Sequence, residues 1–427
     1  MDRRRPIRNT RDVRILLAPH GTRGDVQPMI ALAIALRARG HHVSFVVPDN
    51  FVRWVRAHGF DVQGDGIDVE ALLRTEGARF DSLRWQMRHI AEVLVPRLFE
   101  SLARASADAD LIVGAGVQLA APSIAELRGI GCTSIAFCPC AVPGGSNPPP
   151  TLRTQTLPRW INRLLWDVGG AMASFALRDP VNTARAKIDL PPIDSPLQQL
   201  IDNPVLVAAD RDLAPLGDDT ARSVVATDAF VFHDDTPLDP RIDAFLRHDA
   251  PAIYIGFGSM VTARAAELAR HAVVAARAVG GRALVVGGWA EIDRHVLVDD
   301  DVLAVDAVPH ERVLPRVAAI VHHGGAGTTT AAARAGVPQV VLPHILDQFY
   351  WAYRVAVLGL GPRGLPVDLA NADVLADRLG AALNDPAIAA RVDAMAPAIR
   401  SRDGVGDAVD QLERLAVHSA AASGGRR

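Results

Sequence analysis

The stretch VRILLAPHGTRGDVQPMIALAIALRARGHHVSFVVP, Val13 to Pro48, holds one complete unit of the fold. VRILLAP (Val13–Pro19) is a short aliphatic run of the kind that forms a strand covered on both faces. The polar loop HGTRGD follows it. From Val26 to Arg39 the spacing of Ile30, Ala33, Ile34 and Leu36 is helical, with Pro28 near the start and Gly40 as the stop. HVSFVVP (His42–Pro48) reads as a second strand. Strand, helix and strand in this order require a right-handed crossover, so the sheet they build is parallel.

Working outward, DLIVGAG (Asp110–Gly116), CTSIAFC (Cys132–Cys138) and PVLVAAD (Pro204–Asp210) repeat the buried-strand pattern. VFHDDTPLDPRIDAFLRHDA (Val231–Ala250) is dense in Asp and Pro and reads as a linker. The strand pattern then restarts with AIYIGFG, RALVVGG, VLAVDAV, AIVHH and QVVLP, from Ala252 to Pro343. The expected fold class is α/β, with two doubly wound parallel-sheet, Rossmann-like domains facing across a cleft. Residues 1–232 form the first, 233–250 the linker, 251–395 the second, and 396–427 a C-terminal helix with a frayed tail at SAAASGGRR. Open sheets of this kind bind ligands beyond the carboxyl ends of their strands, so the loops that follow strands are where chemistry is expected.

Composition narrows the function. A chain of 427 residues that is 49% hydrophobic can bury two cores. Lys+Arg 45 against Asp+Glu 48 leaves a net charge of -3, which supplies no broad basic surface and excludes nucleic acid as the expected partner. The three cysteines, Cys132, Cys138 and Cys140, exclude a disulfide scaffold, and Cys138-Pro139-Cys140 lacks the spacing of a zinc or thiol-redox site. The uncharged runs fall short of a clean apolar span of ~20 residues, so no transmembrane segment is expected. The Arg-rich start lacks the apolar core of a signal peptide, and a cytoplasmic protein is the expectation.

AIVHH leads into GGAGTTTAAARAGVP, where Gly324, Gly325 and Gly327 clear the turn and a helix begins at Thr328. Backbone N–H groups at the positive end of such a helix can cradle a diphosphate, with His323 and Thr328 as flanking donors. The same glycines also suit a tight turn and nothing more. GFGS offers Gly258 for close approach and the Ser259 hydroxyl, and LPHILDQFYW places Asp347 and Gln348, suited to sugar hydroxyls, at the next strand-to-helix junction. HGTRGDV offers His20 and Asp25 as proton acceptors, while Arg23 and Gly24 can reach a diphosphate from the opposite domain. At a helix start Asp25 is equally suited to capping. Asp108–Asp110 and Asp299–Asp301 read as solvated turns, and no metal site is expected.

HHGGAGTTTAAARAGVPQVVLPHILDQFYWAYRV, with APHGTRGDVQPMIALAIALRARGHHVSF and PAIYIGFGSM, resembles the nucleotide-sugar-dependent glycosyltransferases that include sterol glucosyltransferases and the enzymes of vancomycin-type antibiotic biosynthesis. The resemblance spans nearly the whole chain and is most specific from Ala319 to Leu360. It implies the two-domain GT-B fold, a UDP- or TDP-sugar donor, no metal or other cofactor, and inversion of the anomeric centre. By position it implies that His323 binds the β-phosphate, that Gly327 and Thr328 belong to the phosphate turn, and that Ser259 lies near the diphosphate. It further implies that Asp347 and Gln348 hold the sugar, that Val308 and His310 approach the base, and that Asp25 is the general base. The plant branch carries a histidine at that position, backed by an acid that LIVGAGVQLAA lacks. The region Arg56 to Pro204 matches least and shapes the acceptor pocket, where Trp85, Met87, Trp160 and Trp166 are walls or core. The implied acceptor is a small, largely apolar molecule with a hydroxyl group, be it polyketide, macrolactone, glycopeptide, sterol or lipid. The role of Trp289 is open. A nucleotide-sugar 2-epimerase and a non-catalytic nucleotide-binding activator share this architecture. A dehydrogenase does not fit, because GFGSM lacks the third glycine of its fingerprint.

Overall fold

A computed structural model describes residues 12–79, 82–258, 265–288 and 299–424. Seven strands form the first sheet: β1 (Arg14–His20), β2 (His42–Val47), β3 (Asp61–Gly64), β4 (Leu111–Gly116), β5 (Gly131–Ala136), β6 (Val205–Val207) and β7 (Val224–Ala226). Five form the second: β8 (Ala252–Gly256), β9 (Arg282–Val286), β10 (Val302–Val305), β11 (Ala319–His322) and β12 (Gln339–Val341). The spatial orders are β3-β2-β1-β4-β5-β6-β7 and β10-β9-β8-β11-β12, and the pairings within both are parallel. Both sheets therefore reverse direction beside their first strand, between β1 and β4 and between β8 and β11, which is where an open α/β sheet leaves its ligand crevice.

Helices cover both faces, and the central strands are accordingly buried along nearly their whole length. The first helix runs from Arg23 to Ala38, three residues earlier than its apolar stripe suggests, because Thr22 caps it. Pro28 thus lies inside the helix rather than at its start, and its missing N–H leaves the Gly24 carbonyl without its usual donor. Gly40 follows the last turn at φ +91°, as a stop residue should.

Three features depart from the sequence reading. The linker contains a helix, Pro240–Leu246, capped by Asp239. The division at 395/396 falls inside the helix Pro386–Arg400. The last helix, Gly404–Gly424, extends into the stretch expected to fray. It returns to the first half, where Ala408, Val409 and Leu412 join the core beneath the Arg23–Ala38 helix, and Arg39 and His41 hold Glu413.

The two halves also share a core. Cys138, Cys140, Val142 and Leu213 pack in one cluster with Tyr350, Trp351, Val355, Ile388 and Ile399. Arg354 donates to the Leu213 carbonyl at 2.8 Å, and Arg402 pairs with Asp212 at 2.8 Å. The cysteines are free and buried. Asp110 accepts from the backbone of Arg14, and Asp299 and Asp301 pair with Arg277, so both acidic runs serve as turn anchors. Among the described residues no helix is long and apolar enough to cross a membrane.

Candidate active site

At the first crevice, β1 ends at His20 beside Gly116 of β4. Thr22 then caps the helix in a reciprocal box: its side chain accepts from Gly24 N–H at 3.3 Å, while Asp25 Oδ2 accepts from Thr22 N–H at 2.7 Å. Gly24 N–H is thereby used locally, which corrects its assignment to the diphosphate. Asp25 is the third helical residue and keeps Oδ1 on the side of Gly116, where a Cβ would lie 3.1 Å from it. Burial raises the Asp25 pKa, opposed by the Thr22 N–H and by the nearby His20. Arg23 stacks 5.0 Å from the centre of Trp54 and donates to Gln27 at 3.0 Å. Burial lowers its pKa, and Asp234 and Tyr254 raise it. Arg23 thus faces the start of the linker and the first strand of the second half.

At the second crevice, β11 ends at His322, level with Gly256 of β8. His322 is fully buried. Its Nε2 pairs with Gln339 Oε1 at 3.1 Å, and its Nδ1 accepts from Gly324 N–H at 3.1 Å. Both contacts fit one neutral tautomer, and burial accordingly pushes its pKa down to about 3. Gly324 N–H is therefore turned inward, away from any anion. What Gly324 supplies is conformation: φ is +88°, and a Cβ would meet Val341 Cγ1 at 2.8 Å and Gln348 O at 3.0 Å.

The cradle proper begins one residue later. The helix Ala326–Ala335 starts at Gly325 with no side-chain cap. The N–H groups of its first turn, including Gly327 and Thr328, accordingly have no intrahelical acceptor. The Thr328 hydroxyl has no hydrogen-bond partner among the described residues. The His323 ring occupies the space left by two glycines, since a Cβ on Gly325 or Gly258 would lie 2.4 or 2.8 Å from it. Burial and then the His344 ring push the His323 pKa down to about 3, so it is neutral at physiological pH.

Asp347 closes the site. Its Oδ2 accepts from the indole of the buried Trp351 at 3.0 Å. Its pKa is pushed up to about 6 by burial and, further, by the negative charge of Asp25. The two carboxylates, one from each half, thus lie within electrostatic reach of each other. Gln348 does something other than expected: its side-chain carbonyl accepts from His344 N–H at 2.8 Å and Ile345 N–H at 3.2 Å, which fixes the loop that carries Asp347. Val308 is buried. His310, with its pKa pushed down to about 4 by burial, pairs through Nε2 with the Tyr254 hydroxyl at 3.1 Å.

These loops decide the family. Residues 15–133 match the glycosyltransferase family 28 N-terminal domain, and residues 290–415 match the erythromycin biosynthesis protein CIII-like C-terminal domain. The chain is 36% identical over 359 residues to the glycosyltransferase GtfE of Amycolatopsis orientalis, covering 82% of this chain and 85% of that one. It is 35% identical over 356 residues to the vancomycin aglycone glucosyltransferase of the same organism, with the same coverage. The chain belongs to the glycosyltransferases. Its fold is GT-B: the solved structure of the glycosyltransferase VinC in complex with dTDP superposes with a TM-score of 0.68 at 22% identity, over 95% of this chain and 100% of that one.

On the acceptor side of this glycosyltransferase, Trp85 stacks on His89 at 5.0 Å on the helix Leu83–His89, with Met87 half-buried between them in sequence. A π-helical turn, Ile90–Leu94, follows; such turns gather at functional sites. Burial and then the nearby His20 lower the His89 pKa. Trp160 is 66% exposed on the long helix Arg159–Ala186, on a face it shares with Leu164, Val168 and Met172. Trp166 donates instead to the Asn147 carbonyl at 3.0 Å, which gives it a structural task. Ser259 and Trp289 lie outside the described residues. Sequence reasoning missed His322, Tyr254, Trp351 and Asp65, the buried partner of His20. The doubled His322-His323 was the signal for the first; the others are paired across long gaps in sequence.

Proposed function

We propose that this glycosyltransferase moves a sugar from a UDP- or TDP-sugar to a hydroxyl group of a small, largely apolar natural product, sterol or lipid, with inversion at the anomeric carbon. The observation that carries the reading is the uncapped start of the helix Ala326–Ala335, in the half opposite Asp25, with Asp347 of the same half within the electrostatic reach of Asp25. The diphosphate lies against the N–H groups of Gly325, Gly327 and Thr328 and against His323, so that fixed dipoles take the place of a metal ion. The nucleotide base lies toward Val308 and His310. Asp347 receives sugar hydroxyls. Asp25 Oδ1 takes the acceptor proton as its oxygen attacks C1, and the electron pair of the breaking bond leaves on the diphosphate. Attack from the side opposite the leaving group, in one displacement, inverts the centre.

The relatives support the choice of substrates. One relative is named as a glucosyltransferase of the vancomycin aglycone, and the VinC structure holds dTDP. Trp85, Met87 and Trp160 offer apolar surface for the acceptor. The deciding experiment incubates the protein with UDP-glucose or TDP-glucose and a panel of apolar alcohols, and follows product by mass. Glycoside that forms only when an alcohol is present supports transfer. An altered sugar nucleotide formed without acceptor would instead identify an epimerase, and tight nucleotide binding without turnover an activator.

A further inference from the structure

His20 and Asp65 form a buried pair across 45 positions of the chain. His20 Nδ1 lies 2.6 Å from Asp65 Oδ2, and the two residues are 6% and 3% exposed. Asp65 is itself fixed: its Oδ1 accepts from Ile67 N–H at 3.0 Å, and its own N–H donates to the Val47 carbonyl at 2.9 Å. A carboxylate in this place accepts from Nδ1–H, and an imidazole that carries its one proton on Nδ1 has its lone pair on Nε2. Nε2 is not enclosed by protein and has no partner among the described residues. His20 ends β1 at the crevice, level with Gly116, and lies within electrostatic reach of both Asp25 and His89. An imidazole turned by a buried carboxylate, with its other nitrogen open to a cleft, is built to accept a proton from a hydroxyl group.

We infer that His20 is a second proton acceptor for the transfer and that Asp65 is its positioning residue, a reading that rests on the glycosyl transfer proposed above. In the reaction the acceptor O–H bond breaks, its oxygen bonds to C1, and the C1–O bond to the diphosphate breaks with its electron pair on the leaving group. The proton goes to Asp25 or, where that carboxylate is removed, to Nε2, and Asp65 then balances the imidazolium charge. Without Asp65 the imidazole can hold its proton on Nε2, which blocks that route.

The test uses the full chain and measures sugar release from UDP-glucose and TDP-glucose with water as acceptor, so no acceptor need be known. Asp25→Asn is expected to keep residual release, and adding Asp65→Asn to lower it by about tenfold or more at unchanged nucleotide affinity. In an Asp25→Asn, His20→Gln background, Asp65→Asn should change nothing, because it acts only through His20. An equal loss in both backgrounds would overturn the inference by making Asp65 merely structural. Nitrogen NMR of labelled histidine reads the pair apart from turnover: the Nδ1–H tautomer is expected in the wild type and its loss in Asp65→Asn. An Nε2–H tautomer in the wild type would overturn the pair even where transfer stands. No sugar release from the wild type, with or without an alcohol, would overturn the transfer reading instead.

Discussion

Asp25 commits Oδ2 to the capping box and keeps Oδ1 beside Gly116, so that the cap and the proposed base are one residue. Asparagine keeps the capping carbonyl but cannot take a proton. Asp25→Asn should therefore lower turnover by roughly 10²–10⁴-fold while the melting temperature and nucleotide affinity hardly move. A variant that melts several degrees lower yet turns over normally would make Asp25 a cap alone. The residues easiest to read in the sequence were those in short motifs, such as Asp25 in HGTRGDV and His323 in HHGGAG. The residues that support them were not legible: Asp65 meets His20 across 45 positions, and Tyr254 meets His310 across 56. Such pairs are set by strand order, which a linear pattern does not carry. The roles given to Gly24 and Gly324 failed for a related reason, since each N–H finds a nearer acceptor inside the loop.

The helix Ala326–Ala335 and the turn before it act as one unit. Gly324 holds the turn at φ +88° with Val341 and Gln348 against it. Gly324→Ala must place a Cβ in a left-handed conformation and into that contact. It should cost roughly 1–2 kcal/mol from the conformation alone, more from the clash, and it should weaken nucleotide binding because the cradle shifts. Urea unfolding and a nucleotide titration on the same sample check both; unchanged values in each would place the anion elsewhere. Most strands were legible because central parallel strands are near-continuous apolar runs. The exceptions were β3, whose DVQG alternates between exposed and half-buried positions at the sheet edge, and β7, only three residues long. The helix in the linker was hidden by a proline that in fact sits at its first position, where proline is favoured.

At the scale of the molecule, the C-terminal helix ties the end of the chain to the first half, so a truncated second half would leave Ala408, Val409 and Leu412 uncovered. Leu412→Ala should lower stability by roughly 2–5 kcal/mol in urea unfolding, the usual range for a fully buried leucine, without touching nucleotide affinity. That return was invisible in sequence, since an amphipathic helix does not name the surface it covers. Acid should also destabilise the protein. Burial holds His322 and His323 down to about 3 and His310 and His344 down to about 4. The unfolded chain therefore binds more protons below about pH 6.5, and stability falls as pH drops toward 4. Asp25, Asp210 and Asp347 are raised, the latter two to about 6, and have the opposite sign, losing stability as pH rises through that value. Four imidazoles outweigh three carboxyls, so the urea midpoint should be lower at pH 5 than at pH 7; a higher one would contradict the assignment of neutral histidines. Calorimetric titration of the full chain with TDP and UDP in EDTA, repeated with His323→Ala, checks the proposed seat of the donor diphosphate on an uncapped helix and the neutral His323. Saturable binding at one site is expected, indifferent to the chelator and weakened by roughly 1.5–3 kcal/mol in the variant, the range for a hydrogen bond to a charged group. Binding abolished by EDTA, or identical in His323→Ala, would contradict it.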